Sequence, residues 1–211
     1  MGALPPQELA RIEPAIRTRR VAAGQPVTRE GETEQAISIV KLGNVFGYRR
    51  GVDGVERPIG IAGRGAIFGL MGWVGKANLV TGVPASQTRV CVVPFQAIRD
   101  AVRHHPAFES RLDESAASIG GLFMQWSEVM RHKNVTRQLG AALLLLARAQ
   151  HTTHIVVPSH TALAQLLGTT RETVARGLRN LREGGGISSD DGRSITLHEE
   201  AMLQLLNAVP A

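Results

Sequence analysis

The sequence predicts an α+β protein with an N-terminal antiparallel β-roll, a long central helix and a C-terminal winged helix-turn-helix. Between residues 20 and 94, short β-type runs alternate with glycine-containing turns, which is typical of an antiparallel roll. Residues 108–131 carry apolar side chains at helical spacing. Residues 159–181 contain two amphipathic stretches separated by a glycine, which indicates a helix-turn-helix.

The N-terminal segment begins with a helical pattern. Leu9, Ile12 and Ile16 recur at spacings of three and four, which predicts a helix over 5–17 that packs across the mouth of the roll. Short apolar runs separated by glycines come next. We expect the strands of the roll at 20–22, 35–41, 45–49, 57–61 and 89–93.

The central helix carries an apolar seam. Leu112, Ile119 and Trp126 lie seven residues apart, and Leu122 and Val129 occupy the intervening positions. A heptad seam in a long helix favours a second helix, so we expect these residues to form a dimer interface. The alternative is that the seam packs against the chain's own roll.

A polar break separates this helix from the C-terminal part of the chain. Asn134 is a suitable N-cap for the next helix, whose centre, 139–146, is strongly apolar. We therefore expect a roll domain at 1–106, the central helix and a hinge at 107–133, and a C-terminal domain at 134–211.

The helix-turn-helix opens with a short helix. Ser159 is expected to cap it, and Leu163, Leu166 and Leu167 form its apolar face. Gly168 then ends the periodic run, because a residue without Cβ adopts the left-handed conformation that closes a helix.

The second helix begins near Thr169 and Thr170 and buries Val174, Leu178 and Leu181. Its remaining side chains are polar and are available to a partner. Together with the residues that cap the two helices, the predicted DNA-binding set is Ser159, Thr169, Thr170, Arg171, Glu172, Thr173, Arg176 and Arg179.

The first turns of this second helix have the chemistry needed to read bases. Arg171 and Arg176 supply paired donors that match the O6 and N7 acceptors of guanine, and Glu172 accepts from the amino group of cytosine. Thr169 and Glu172 also have capping-box spacing, so the carboxylate has a competing role at the helix start. The alternative is a helical hairpin with a solvated charged face.

A hairpin follows the second helix. Residues 188–197 are expected to turn on Asp191-Gly192, and Arg193 in this wing is expected to contact DNA phosphates.

These residues resemble the DNA-binding end of the CRP/FNR family of bacterial transcription regulators, of the catabolite activator type. The resemblance lies in Leu163-Ala164, Leu167-Gly168 and the RETVAR run at 171–176. It extends into the roll, for example at Arg29-Glu30-Gly31 and Ile67-Phe68-Gly69. It implies a homodimer that reads palindromic operators in double-stranded DNA, contacts RNA polymerase and has no enzymatic activity. It also implies an effector site where the roll meets the dimerisation helix.

The effector site departs from that of the family's cyclic-nucleotide binders. In those proteins, the segment that corresponds to Ile67-Phe68-Gly69 is followed by a glutamate that binds the ribose and by an arginine-serine pair that binds the phosphate. This chain has Leu70 at the position of the glutamate and no arginine at 78–81. The sequence therefore argues against cyclic AMP as the effector. The effector-pocket residues that we expect are Leu70, Met71, Trp73, Val74, Phe123 and Met124. The alternative is that these side chains fill the roll interior.

Two other modes of regulation remain open. A constitutive regulator needs no effector. A haem-based gas sensor needs axial ligands, and no spacing selects a pair among the candidates, which are Met71, Cys91, His104, His105 and Met124.

Composition agrees with a DNA-binding regulator and argues against other classes. A formal charge of +6 suits a polyanionic partner. Cys91 is the single cysteine, which excludes a disulfide within the chain, and 35–95 contains no histidine for a cupin-like metal enzyme. We expect no metal site, no signal peptide and no membrane span, and therefore a cytoplasmic protein. A sequence-neutral architectural DNA protein is a weaker alternative, because it needs no base-reading residues.

Overall fold

The computed structural model describes residues 5–189 and 194–207 of the chain. It consists of a β-roll, a long helix and a C-terminal helical domain with a small sheet, which confirms the predicted fold class. Within the part of the chain that the structure describes, no helix is both long enough and apolar enough to cross a membrane.

The N-terminal helix, α1 (Pro6–Ile12), is shorter than predicted. A 3₁₀ turn at Glu13–Ala15 follows it, and strand β1 (Arg17–Val21) then begins. Pro14 explains the end of the helix, because its nitrogen has no hydrogen to donate. Ile16 accordingly has an extended backbone and does not continue the apolar face of the helix.

The β-roll consists of two antiparallel sheets with a shared core. Its strands after β1 are β2 (Ala36–Leu42), β3 (Val45–Arg50), β4 (Glu56–Ala62), β5 (Ile67–Phe68), β6 (Thr81–Pro84) and β7 (Thr88–Pro94). One sheet has the order β1-β7-β2-β5 and the other has the order β4-β3-β6. Val40, Val45 and Val90 come from both sheets and are fully buried in the core between them. The predicted strands are present, whereas the short strands β5 and β6 were missed.

Two helices lead from the roll to the C-terminal domain. Helix α2 (Phe95–His104) was not predicted, and His104 is its last residue. Helix α3 (Ala107–Arg131) is the predicted central helix. It runs without a break through Gly120 and Gly121.

The structure corrects the predicted dimer seam on α3. Leu112, Trp126 and Val129 are only 6%, 4% and 2% exposed, because they pack within the chain. The Trp126 indole N–H also donates to the carbonyl oxygen of Pro58 in the roll, at 2.8 Å. An apolar row on a helix can pack against a partner helix or against the chain's own roll. Here the three side chains pack within their own chain.

The remaining face of α3 is open. Ala117, Gly120 and Met124 are exposed, and apart from the neighbouring backbone of α3 no atom of the described residues lies within 4 Å of the position that a Cβ on Gly120 would occupy. Ile119 and Leu122, the other members of the predicted seam, are half-buried and face the roll.

The C-terminal domain packs around helix α4 (Val135–Gln150). Asn134 caps α4 as predicted, and its side chain accepts a backbone hydrogen bond of 2.8 Å from the first turn. Leu139, Leu143 and Leu146 on α4 are fully buried. The other elements are β8 (His154–Val156), α5 (His160–Leu167), α6 (Arg171–Glu183), β9 (Ile187–Ser189), β10 (Ser194–Leu197) and α7 (Glu199–Asn207).

A small antiparallel sheet with the order β8-β10-β9 completes this domain. Strands β9 and β10 pair as the predicted hairpin, with Leu197 opposite Ile187. Its predicted turn at Asp191-Gly192 lies outside the described residues, as does Arg193. Strand β8 was missed, because a three-residue strand is too short to show a pattern.

The roll and the C-terminal domain meet where β4 ends. The Arg64 N–H donates to the carbonyl oxygen of Ala149, at the end of α4, at 3.1 Å. A Cβ on Gly63 would lie 2.6 Å from the Ala149 Cβ, closer than two carbon atoms approach, so this contact requires a glycine. Nearby, Phe46 and Ile61 of the roll belong to the same buried apolar cluster as the leucines of α4.

Candidate nucleic-acid interface and ligand cavity

The turn between α5 and α6 is held by the predicted capping residues. The Ser159 hydroxyl accepts from the Ala162 N–H at 3.2 Å and caps α5. Gly168 has φ +62° and closes that helix in the left-handed conformation. The Thr169 N–H then donates to the carbonyl oxygen of Ala164 at 2.9 Å, which draws the chain back over the end of α5.

Helix α6 is fixed at both its start and its buried side. The Thr170 hydroxyl accepts from the Thr173 N–H at 3.2 Å, so Thr170 is the N-cap. Val174, Leu178 and Leu181 are 0%, 8% and 2% exposed, which confirms the predicted apolar face. The rotation of α6 about its axis is therefore determined by packing, and its polar side faces outward.

Three arginines project from the outward side of α6. Arg171, Arg176 and Arg179 are exposed, and Thr173 beside them is half-buried. A guanidinium nitrogen of Arg176 lies 3.4 Å from the Thr173 hydroxyl, which orients the side chain along the helix. The result is an exposed, positively charged helix surface that begins at the N-terminal turn.

Glu172 is turned back onto the helix start. Hydrogen bonds from its own backbone N–H and from the Thr170 hydroxyl, with a smaller contribution from the Arg171 charge, lower the pKa of the Glu172 carboxyl. The partner in this cap is Thr170 and not Thr169, whose spacing had suggested a capping box. The carboxylate must leave these donors before it can accept from a base.

A cavity of about 380 Å³ lies between the roll and α3. Of the predicted pocket residues, Leu70, Met71, Trp73, Val74 and Phe123 line it. Met124 is not part of the wall and is 67% exposed on the outer side of α3. Leu70 and Trp73 also pack against a buried cluster of the roll that includes Phe95, and a space remains beside them. Sequence reasoning missed several apolar wall residues, which are Ile61, Phe68, Leu79, Val80, Leu112, Ile119 and Leu122.

The polar groups on the cavity wall are few. Besides backbone, they belong to the side chains of Thr28, Trp73, Asn78, Asp113, Ser115 and Ser118. No Lys, Arg or His lines the cavity in the described part of the chain, and Asp113 is the one charged group on its wall. The cavity therefore lacks a cation that would neutralise a buried anion.

Comparison with known proteins identifies both halves of the molecule. The cyclic nucleotide-binding domain family matches residues 18–105, and the Crp-like helix-turn-helix domain family matches residues 137–206. The chain belongs to the CRP/FNR family of transcription regulators. The matches cover the roll and the helix-turn-helix with its flanking helices, and they leave α3 between them.

Individual relatives of this CRP/FNR regulator match most of its length. It is 26% identical over 208 residues to the cyclic AMP receptor protein of Thermus thermophilus, covering 95% of this chain and 93% of that one. It is 27% identical over 179 residues to the global nitrogen regulator of a Synechocystis species, covering 78% of this chain and 74% of that one. The solved structure of FixK2 from Bradyrhizobium japonicum superposes with a TM-score of 0.75 at 21% identity, covering 93% and 99% of the two chains, and it supports the fold alone.

The candidate haem ligands of this CRP/FNR regulator do not converge. Met71 lines the cavity, whereas Cys91 lies in β7 and His104 ends α2, and neither belongs to the cavity wall. No cation on the described wall would pair with the haem propionates. The described residues also contain no cluster of three or more His, Cys, Asp or Glu that would hold a metal ion. The residues at this site do not fit a haem group.

Proposed function

We propose that this CRP/FNR regulator is a homodimer that reads palindromic operators through α6, its recognition helix. The observation that carries the proposal is the exposed arginine surface of α6, held in place by the Gly168 turn and the Thr170 cap. In helix-turn-helix proteins the N-terminal part of the second helix contacts base edges in the major groove. The exposed side chains of that part are those of Arg171, Glu172 and Arg176.

Guanine is the base that best suits Arg171, because a guanidinium donates in parallel to O6 and N7. Glu172 is expected to contribute less to base reading than Arg171, since its carboxylate is already bonded to the helix start. Resemblance within the family favours a TGTGA-like half-site, because sister regulators that read TTGAT-like sites have an apolar residue at the position of Arg171 and a serine at that of Ala175. Ser159, Thr170 and the wing residue Arg193 are assigned to the DNA backbone.

The dimer is proposed to form through the open face of α3. Ala117, Gly120 and Met124 follow the spacing of a coiled-coil seam, and the small side chains allow two helices to approach closely. This face replaces the row containing Leu112 and Trp126, which is buried inside the chain. A dimer with a twofold axis along α3 has two recognition helices. We expect them to contact two half-sites whose centres lie about one helical turn of DNA apart.

Control by a small effector other than cyclic AMP is the second part of the proposal. The cavity supports it, because it has a volume typical of ligand sites and is formed by both the roll and α3. Strand β4 lines the cavity with Gly60 and Ile61 and also leads to Gly63, which contacts Ala149 in the C-terminal domain. A ligand that shifts β4 would therefore act on the placement of the recognition helix. A constitutive regulator is the alternative.

Further parts of the proposal follow from the family. We assign no catalytic activity to the protein and propose RNA polymerase as a partner. The proposed domain organisation is the roll at 1–106, the dimerisation helix and hinge at 107–133 and the DNA-binding domain at 134–211. A regulator that acts on a bacterial genome works in the cytoplasm.

Binding-site selection from random DNA tests the proposed function. The full-length protein should enrich a palindrome with a guanine in each half-site and half-site centres about one helical turn apart. Binding without any enriched sequence would contradict the proposal and would indicate an architectural DNA protein. Enrichment of a single half-site without its inverted repeat would contradict the dimer.

A further inference from the structure

The cavity contains one buried polar group that is not satisfied by the protein. Asn78 is 5% exposed and lies on the cavity wall. Its backbone N–H and carbonyl are both bonded, to Glu32 and Gly31. Its side-chain nitrogen donates to the Thr28 hydroxyl at 2.6 Å. In the described chain no group donates to the side-chain oxygen of Asn78.

The orientation of this amide is fixed by its neighbours. The Thr28 hydroxyl has one hydrogen, and this hydrogen is directed to a carboxylate oxygen of Glu34 at 3.4 Å. In the structure Thr28 accepts from Asn78, and the amide nitrogen of Asn78 faces Thr28. The amide oxygen is left as the free acceptor. Among the described residues it is also not one of the fully enclosed oxygens without a partner, and Asn78 lines the cavity.

The charge of the wall limits what this acceptor can bind. Asp113 is the one charged side chain on the described wall, and no cationic side chain lies there. An anion placed in the cavity would lose its hydration without gaining a counter-ion. A hydrogen-bond donor without negative charge would satisfy Asn78, and a positive charge would be attracted to Asp113. Val74 and Leu79 line the cavity and are 63% and 50% exposed, so the entrance is apolar as well.

We propose that this cavity binds an apolar molecule that carries an O–H or N–H donor and no negative charge. The volume of about 380 Å³ equals the space of about a dozen water molecules, which sets the ligand at about 9 to 12 non-hydrogen atoms. This class differs from the nucleotide that gives the Thermus thermophilus relative its name. The inference rests on the proposed function in taking the cavity as the effector site.

Calorimetric titration with four matched probes tests the ligand class. They share a phenylpropyl body and are 3-phenyl-1-propanol, its methyl ether, 3-phenylpropylamine and 3-phenylpropanoate. The alcohol or the amine should bind about tenfold more tightly than the ether, because only they donate to Asn78, and the anionic propanoate should bind most weakly. If the alcohol binds better than the amine, the ligand is neutral, whereas the reverse order assigns a cation held by Asp113. Tightest binding by the propanoate, or no binding by both donors at millimolar concentration, would overturn the inference.

Two variants separate the role of the wall from general damage to the fold. Asn78→Leu should reduce alcohol affinity about tenfold and leave ether affinity unchanged. Leu70→Lys should reverse the charge preference and favour the propanoate, whereas the control Leu70→Met should not. Unchanged alcohol affinity in Asn78→Leu, relative to wild type, would contradict the assignment. If the alcohol binds as expected but operator affinity does not change, the ligand class is supported and the effector control in the proposed function fails.

Discussion

The contact between Gly63 and Ala149 offers a direct way to perturb the junction between the roll and the DNA-binding domain. In Gly63→Ala, the new methyl group would lie 2.6 Å from the Ala149 Cβ. Two carbon atoms in contact need about 3.5 to 4.0 Å, and the Ala149 carbonyl oxygen would lie closer still, so the two segments must separate by about 1 Å or more. The neighbouring hydrogen bond from the Arg64 N–H to the Ala149 carbonyl, now 3.1 Å long, would then exceed hydrogen-bond distance.

The expected destabilisation has two parts. Loss of the hydrogen bond costs about 1 kcal/mol, and overpacking of a close contact costs about 1 to 3 kcal/mol. The sum is about 2 to 4 kcal/mol for the junction. Gly60→Ala is the matched control, because a Cβ at Gly60 would meet its nearest neighbours at 3.9 Å, an ordinary contact. It should change the stability by less than about 0.5 kcal/mol.

Hydrogen exchange measured at the Arg64 amide, together with chemical denaturation, tests this prediction. Gly63→Ala should abolish protection at that amide and lower the denaturation midpoint, while Gly60→Ala should do neither. Unchanged protection in Gly63→Ala would refute the view that this contact joins the two domains.

Three further predictions address the dimer, the effector and the helix cap. Met124→Glu should give monomers in sedimentation experiments, because like charges would meet across the proposed axis, and Met124→Leu should remain dimeric. Calorimetry should detect no binding of cyclic AMP, since Leu70 replaces the family's acid and no cation lines the cavity; a micromolar Kd would contradict this. The pKa of Glu172 is lower in the folded protein than its ordinary value of 4.5, so its contribution to stability is present above pH 4.5 and is lost as the pH falls through the folded pKa. The stability difference between wild type and Glu172→Gln should therefore vanish in acid, and a difference that persists at low pH would contradict the cap.

The helix-turn-helix could be predicted in detail because its signals are local. Ser159 and Asn134 act as N-caps, and Gly168 adopts the left-handed conformation, as their types and positions suggest. Each of these roles depends on a few neighbouring residues. The sequence suggested Thr169 as the cap of α6, whereas the cap is Thr170. Helix ends are difficult to predict to within one residue.

The dimer seam and the cavity could not be predicted in the same way because they depend on distant parts of the chain. The heptad row of α3 correctly indicates buried side chains, but periodicity does not say what buries Trp126, and the answer is the roll at Pro58. The side-chain oxygen of Asn78 is free because the amide nitrogen donates to Thr28, which is fifty positions away in sequence and itself donates to Glu34. An empty space has no sequence pattern of its own.

The central claim is that α6 reads bases, and binding-site selection with Arg171→Ala tests it most directly. Wild type should select a guanine at a defined position of each half-site. Arg171→Ala should lose about 1 to 3 kcal/mol of affinity and should relax the preference at that base pair alone. Arg193→Ala, at a residue outside the described part of the chain, is the contrast, because loss of a phosphate contact should weaken all sequences alike and lower the salt slope by about one. If Arg171→Ala binds more weakly yet selects the wild-type sequence, Arg171 contacts phosphate and the base-reading assignment is wrong.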